Sequence, residues 1–409
     1  MSGAFTGLRV IDTTHVLAGP YASYQMALLG AEVIKLEAPQ DPDQARFNGT
    51  DRDLVRAAMG TAFLAQGAGK KALALDLKSE AGRDALLKLA ERADVFVENY
   101  RPGAFEDLGL GYEDLAAVNP RLIYCSVSAF GATGPRRHQT GYDNVIQAFS
   151  GIMDMTGHGD DRPLKCGAPV VDYATGLTAA FAISAALFQR ERTGKGQHID
   201  VSMLDVAMTL MTAPATDFLL TGKHPKAKGN SYAFATLGMY QAADEPLMIA
   251  ASNLRQQRRL WIGLGREDLV KTDNLARIDD YKTEQAALAS IIETMPAAYW
   301  EEFFNERRVP ASRIRRLEEA LDDPQARARA QFLRLADPSG RLEGLRVPSV
   351  AFRMSQSETG VTLAPQPVGA QTVDILRSIG LGDAEIEAMC LAGLALQASE
   401  PGARERVKP

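Results

Sequence analysis

The order and spacing of the apolar runs predict an α/β fold: a large doubly wound, Rossmann-like domain built from both chain ends, with a smaller central α+β domain. Three observations carry that prediction. Residues 8–12 form a buried-strand pattern, residues 22–29 a helical one closed by Gly30, and residues 32–36 a second strand. Such a βαβ unit needs a crossover and makes its two strands parallel. The rhythm then recurs in a strand at 71–77, a helix capped by Ser79 and running to Arg92, a strand at 94–98 and another at 121–128. The third observation is length, since 409 residues exceed one ordinary core and leave room for a second domain.

Taken in order, the first strand leads into Thr13-Thr14-His15-Val16-Leu17-Ala18-Gly19-Pro20, which lacks the glycine spacing of a dinucleotide fingerprint. An NAD enzyme is therefore disfavoured. Residues 39–66 are polar and rich in Asp and Arg, and read as a long loop. Ligands of a doubly wound sheet lie at the carboxyl ends of its strands, and His15, Lys70, Asn99, Arg101 and the turn at Gly131 all fall at or near strand ends. A helix is expected over 142–155, a long apolar helix after Asp172, a strand at 197–202 and a single helix over 203–220. The character changes at Thr221, so the domains are read as 1–220 and 323–398 for the large one, 221–322 for the small one, and a tail at 399–409. Residues 347–352 read as a strand returning to the large domain, ahead of two terminal helices.

Composition excludes several classes of partner. The formal net charge is −6 with no long basic run, which argues against nucleic acid or an anionic membrane. Three cysteines without close spacing suggest neither a disulfide framework nor a metal site, and point to the reducing cytoplasm. No leader pattern opens the chain, and no apolar run is read as approaching membrane-spanning length.

One stretch concentrates the chemistry. In Gly167-Ala168-Pro169-Val170-Val171-Asp172-Tyr173-Ala174-Thr175-Gly176, two valines read as the end of an extended segment, and an apolar helix follows. Asp172 at that junction is either the cap of the helix or a desolvated carboxylate available as a nucleophile.

Several ordered stretches then decide the matter: Gly7-Leu8-Arg9-Val10-Ile11-Asp12, residues 16–20, residues 29–37, residues 73–78, Val97-Glu98-Asn99-Tyr100-Arg101-Pro102-Gly103, residues 119–124, 192–197 and 323–325. Together they resemble the family III CoA transferases, almost without a gap to about residue 208 and patchily beyond. The resemblance implies two subunits interlocked as a homodimer, CoA thioesters as substrates with no permanently bound cofactor, and Asp172 as the nucleophile. It implies acyl transfer through an aspartyl anhydride and an aspartyl-CoA thioester; the substrate pair is not fixed by the sequence, and succinyl-CoA as donor with a C4 or C5 dicarboxylic acid such as mesaconate as acceptor is the preferred expectation.

The same comparison assigns the surrounding residues. His15, Val16, Leu17 and Ala18 are expected to line the acyl pocket with Tyr142, and Asp143 to hydrogen-bond around Asp172. Lys70, Lys71, Asn99, Tyr100 and Arg101 are expected to hold CoA, although the family's Asn-Arg pair is Gly67-Ala68 here and an arginine after the second strand is Ala38. Arg46 and Lys165 are candidates for the second carboxylate of a dicarboxylic acid, and Lys228-Gly229-Asn230 for oxyanion donors. Formyl-CoA transferases have glutamine at the Leu17 position, which argues against an oxalate and formate pair. The related α-methylacyl-CoA racemases carry a histidine where this chain has Tyr142, and a phenol of ordinary pKa is a poor base at neutral pH. Racemisation and a catalytically silent CoA-binding protein are the rival readings.

Overall fold

The computed structural model describes residues 2–158, 163–337, 340 and 342–398, and the expected tail at 399–409 lies outside them. The described chain forms two compact units, one of residues up to 152 with 166–222 and the segment from 330 onward, the other of 153–165 and 223–329. The boundaries differ from those read in the sequence. Residues 153–165 group with the second unit, where the Gly229 N–H donates to the Gly157 carbonyl at 2.9 Å.

In the first unit, β1 (Arg9–Asp12), β2 (Glu32–Glu37), β3 (Lys70–Ala74), β4 (Val95–Glu98), β5 (Ile123–Ser128) and β6 (Gln197–Ser202) form one six-stranded sheet, ordered β3-β2-β1-β4-β5-β6. Every pair is parallel. Alternate residues of each strand serve opposite layers. Val10, Val33, Val95, Val97 and Ile123 pack against Ala22 and Met26 of α1 (Ala18–Leu28) and against Ala179, Ile183 and Leu187 of a long helix described below. Ile11, Ile34, Leu73, Phe96 and Tyr124 face the other layer, with Leu86, Leu89, Leu376 and Met389 from the helices there. Near-continuous apolar strands are what burial on both faces requires.

Helix α1 starts four residues before its expected beginning. Pro20 lies in its first turn, where the missing N–H would have had no partner, so Gly19-Pro20 opens a helix rather than marking a loop. Gly30, at φ +98°, ends it. The segment expected as a loop at 39–66 contains a 3₁₀ turn (Gln44–Phe47) and the helices α2 (Arg52–Arg56) and α3 (Thr61–Gly67). Its aspartates are caps: Asp43 accepts from the Ala45 N–H, and Asp51 from those of Asp53 and Leu54.

Beyond β3 come α4 (Glu80–Ala90), capped by Ser79, then α5 (Tyr112–Val118), α6 (Asp143–Ser150) and α7 (Val170–Thr193), the last closed by Gly194 at φ +72°. The two valines before Asp172 are therefore the first residues of α7 and not the end of a strand. By length and composition alone α7 is apolar enough to cross a membrane, against the reading from sequence, and it packs on α1, β5 and β6. The single helix expected over 203–220 is two, α8 (Met203–Leu210) and α9 (Thr212–Thr221), bent by 76°. Pro214 could not continue α8 without clashing with the Leu210 carbonyl.

The second unit joins β7 (Leu237–Gln241), β8 (Pro246–Ala250) and β9 (Ala311–Arg313) in an antiparallel sheet. Leu247, Ile249, Trp261, Leu288, Trp300 and Phe304 form its core, drawn from β8, α10 (Leu254–Gly263), α12 (Tyr281–Ile292) and α13 (Ala297–Glu306), with the short α11 (Asn274–Asp279) packed on α12. The strand expected at 347–352 does not join the large sheet. It is β11 (Arg346–Pro348), paired antiparallel with β10 (Phe332–Arg334) beside Tyr24, whose hydroxyl donates to the Pro348 carbonyl at 2.5 Å.

Candidate active site

A cavity of about 630 Å³ opens in the first unit at the carboxyl ends of its strands. The strand order reverses between β1 and β4, and the loops leaving those two strands form its central walls: His15, Val16, Leu17 and Ala18 on one side, Asn99, Tyr100 and Arg101 on the other. This is the switch-point crevice of a doubly wound sheet. The carboxyl end of β5 adds Ser128 and the loop after it Ala129, residues 139–142 add Gln139 to Tyr142, and Asp172 reaches in from the start of α7.

Asp172 is the third residue of α7 and does not cap it. That work falls to Asp143, the first residue of α6, whose buried carboxylate accepts from the Val171 N–H at 2.8 Å and from the Asp172 N–H at 3.1 Å. Its other oxygen accepts from Gln147 at 2.5 Å. Asp143, expected to hydrogen-bond around Asp172, bonds the Asp172 backbone and not its side chain. With Asp143 holding the helix end, the Asp172 carboxyl has no hydrogen-bond partner among the described residues. Burial first, and the neighbouring Asp143 charge second, push its pKa up to about 7. A half-buried carboxylate so placed is a stronger base and nucleophile than one in water, and it faces an open cavity.

The His15–Ala18 loop is held rigidly. The Asn99 side chain accepts from the His15 N–H at 2.7 Å and donates to the His15 carbonyl at 2.8 Å. The His15 imidazole meets the Tyr100 hydroxyl at 2.5 Å, and burial and Lys35 lower its pKa, so the neutral ring is favoured. Val16 sits at φ +69°, a region that β-branched residues avoid. Asp43 holds it there by accepting from its N–H at 2.9 Å, and Gln66 by donating to its carbonyl at 2.5 Å. The N–H groups of Leu17 and Ala18, at the start of α1, have no partner among the described residues, and both residues line the cavity.

Beneath this loop runs a chain of buried charge. Lys70 pairs with Asp12 at 2.8 Å, Lys35 with Asp43 at 3.2 Å, and Arg46 with Glu37 at 2.6 Å. Burial alone would raise the Asp12 carboxyl, but Lys70 and Lys35 hold it well below the usual range.

Lys70, Lys71 and Arg46 are therefore placed elsewhere. Lys70 opens β3, at the amino end of a parallel strand, and is buried against Asp12 and the Pro20 carbonyl. Lys71 pairs with Glu32 at 2.5 Å, outside the cavity. Arg46 is fully buried between Glu37 and the Phe63 ring, so no acid can reach it. Lys165 belongs to the second unit, and the Gly229 N–H is already taken by Gly157. The cations that do line the cavity are Arg101, which pairs with Asp107 on the surface, and Lys78, which sequence reading missed. Lys78 follows β3 at its carboxyl end, and that position was the available signal.

The profile of CoA-transferase family III matches residues 5–372. The chain belongs to the family III CoA transferases. This transferase is 37% identical to an acetyl-CoA:oxalate CoA-transferase of Acetobacter aceti, over 81% of this chain and 86% of that protein. It is 34% identical to a succinate–glutarate CoA-transferase of Agrobacterium fabrum, over 91% and 95% of the two chains. A succinyl-CoA:mesaconate CoA-transferase of Haloarcula hispanica is 35% identical over 87% of this chain and 91% of its own. Among solved structures, a CAIB/BAIF family protein from Brucella suis superposes with a TM-score of 0.80 at 32% identity, covering 93% of this transferase and 100% of that chain. Its substrates are thus acyl-CoA thioesters and carboxylic acids.

Proposed function

We propose that this transferase moves CoA from succinyl-CoA to a C4 or C5 dicarboxylic acid through covalent intermediates on Asp172. The observation that carries the proposal is the Asp172 carboxyl, unpartnered and desolvated at the wall of the crevice. A carboxylate oxygen of Asp172 attacks the thioester carbonyl, the C–S bond breaks, and a mixed anhydride and CoA thiolate form. The thiolate attacks the aspartyl carbonyl and releases succinate, leaving aspartyl-CoA. The acceptor carboxylate attacks that thioester, forms its own anhydride and frees the thiolate, which takes the acceptor acyl group and restores Asp172. Each tetrahedral oxyanion is served by the Leu17 and Ala18 N–H groups, whose helix start also favours negative charge. Lys78 and Arg101 meet the CoA phosphates, with Asn99 and Tyr100 beside them.

The acceptor class rests on the glutarate and mesaconate relatives. The oxalate relative, at 37% identity, weakens the exclusion drawn from Leu17, so oxalate belongs in the acceptor screen. We place the enzyme in the cytoplasm as a homodimer. Cys125, Cys166 and Cys390 form no disulfide, which suits a reducing compartment. A second copy would cover the apolar face of α7 and α9, where Phe181 is 75% and Leu220 85% exposed.

The test is incubation with succinyl-CoA, trapping with hydroxylamine, and mass spectrometry of the Asp172 peptide. A hydroxamate on Asp172 is expected. An unmodified Asp172 under turnover defeats the mechanism, and α-proton exchange in deuterated water without an acceptor acid would replace it with racemisation.

A further inference from the structure

The second unit carries a separate concavity of about 540 Å³. Arg255, Arg258 and Arg259 reach it from one side of α10, and Arg307 and Arg308 from the end of α13. Among the described residues the one acidic side chain lining it is Glu306, within 3.5 Å of Arg307. Several arginines elsewhere in the unit are matched with carboxylates, Arg266 with Asp268, Arg313 with Glu245 and Glu319, Arg315 with Glu301, and Arg327 with Asp322, while the buried Arg277 is held by neutral oxygens instead. Arg255, Arg258, Arg259 and Arg308 have no ion pair among the described residues. Like charges gathered around one hollow repel each other, and an anion relieves that repulsion.

A second, independent observation concerns the backbone. Arg308 lies just past α13 at φ +56°, where helices usually place glycine. The chain keeps a long cation in a strained position that the smallest residue would occupy freely. Its neighbour is preset as well: the Arg307 guanidinium stacks 3.7 Å from the Phe303 ring centre and donates to the Phe303 carbonyl at 2.8 Å. Gly263 leaves room for it, since a Cβ there would come within 2.8 Å of the Arg307 Cδ.

From these arginines we infer a binding site for a small polyphosphate, distinct from the CoA crevice. Guanidinium forks bind phosphate oxygens in pairs, and five of them around one hollow suit a ligand with at least two linked phosphates. The hollow has the size of a nucleotide-scale ligand pocket.

Calorimetric titration of the full-length enzyme with inorganic pyrophosphate tests this, with CoA left out because its own diphosphate would compete for the hollow, and with the arginine variants separating the hollow from the crevice. One site per chain is expected, with orthophosphate binding at least about tenfold more weakly because it engages fewer guanidiniums. The exposed pair Arg255→Ala/Arg258→Ala should weaken pyrophosphate about tenfold or more. Arg308→Gly should weaken it severalfold while the thermal midpoint holds or rises, a combination that mere structural damage cannot produce. Arg316→Ala, which removes a surface arginine outside the hollow, should change nothing. Absence of binding, or affinity unchanged in both groove variants, overturns the inference.

Discussion

Two groups of buried carboxylates lie within a few residues of the same crevice and behave in opposite ways. Beneath the β1 loop, Asp12, Glu37 and Asp43 each face a buried cation, and all three are held below the ordinary carboxylate range despite burial. At the start of α7, Asp172 has Asp143 for a neighbour and no cation, and its pKa climbs to about 7. Burial is common to both. What separates them is the sign of the nearest charge, so the first group fixes the wall in place and the second leaves one oxygen nucleophile reactive.

The contrast is broken most severely by removing the reactive carboxylate. Asp172→Asn should lower turnover by roughly four orders of magnitude, as loss of a covalent nucleophile does, measured with succinyl-CoA and the best acceptor. Next in size is damage to the compensated group. Arg46→Ala strands Glu37 in the core and should cost about 3–5 kcal/mol in urea unfolding. Adding Glu37→Gln should recover part of that loss, since the stranded charge goes with it.

Asp172→Asn should also stabilise the fold by about 1–2 kcal/mol at pH 8, because it removes an uncompensated charge. The wild-type pH dependence carries the opposite signs of the two groups. Asp172 takes up its proton more readily folded than unfolded, so its contribution to stability falls as pH rises from about 4 to about 7. Asp12, Glu37 and Asp43 stabilise above their unfolded values near 4, and that stabilisation is lost as acid protonates them. Activity should follow the reactive group, with kcat/KM rising through about pH 7. The smallest effect tests the neighbour: Asp143→Asn keeps an oxygen for the α7 N–H groups but drops the charge, and should move that midpoint down by less than about one unit. An unmoved midpoint would assign the whole shift to burial.

Much of this was legible in the sequence, for reasons that can be named. The parallel strands announce themselves because burial on both faces makes them continuous apolar runs, and Asp172 stands out where ordered motifs converge. What failed depended on direction and distance. Lys70 reads as a strand-end cation, but it begins its strand, and its side chain runs back to Asp12 across the sheet. Arg46 looks like any loop arginine until Glu37, nine residues earlier, closes on it. The aspartates of residues 39–66 signal helix caps as readily as loops, and only the N–H groups they receive decide between the two. The basic hollow of the second unit escaped because Arg255, Arg258 and Arg259 meet Arg307 and Arg308 only in the folded chain.

The backbone of Val16 has a consequence for anyone improving this enzyme. A screen that rewards only thermal tolerance would favour glycine or asparagine there, since either adopts φ +69° with less strain. The same screen would favour asparagine at 172. Selection for robustness and selection for turnover therefore pull these positions apart, and a library evolved on heat alone should accumulate sturdy, idle proteins.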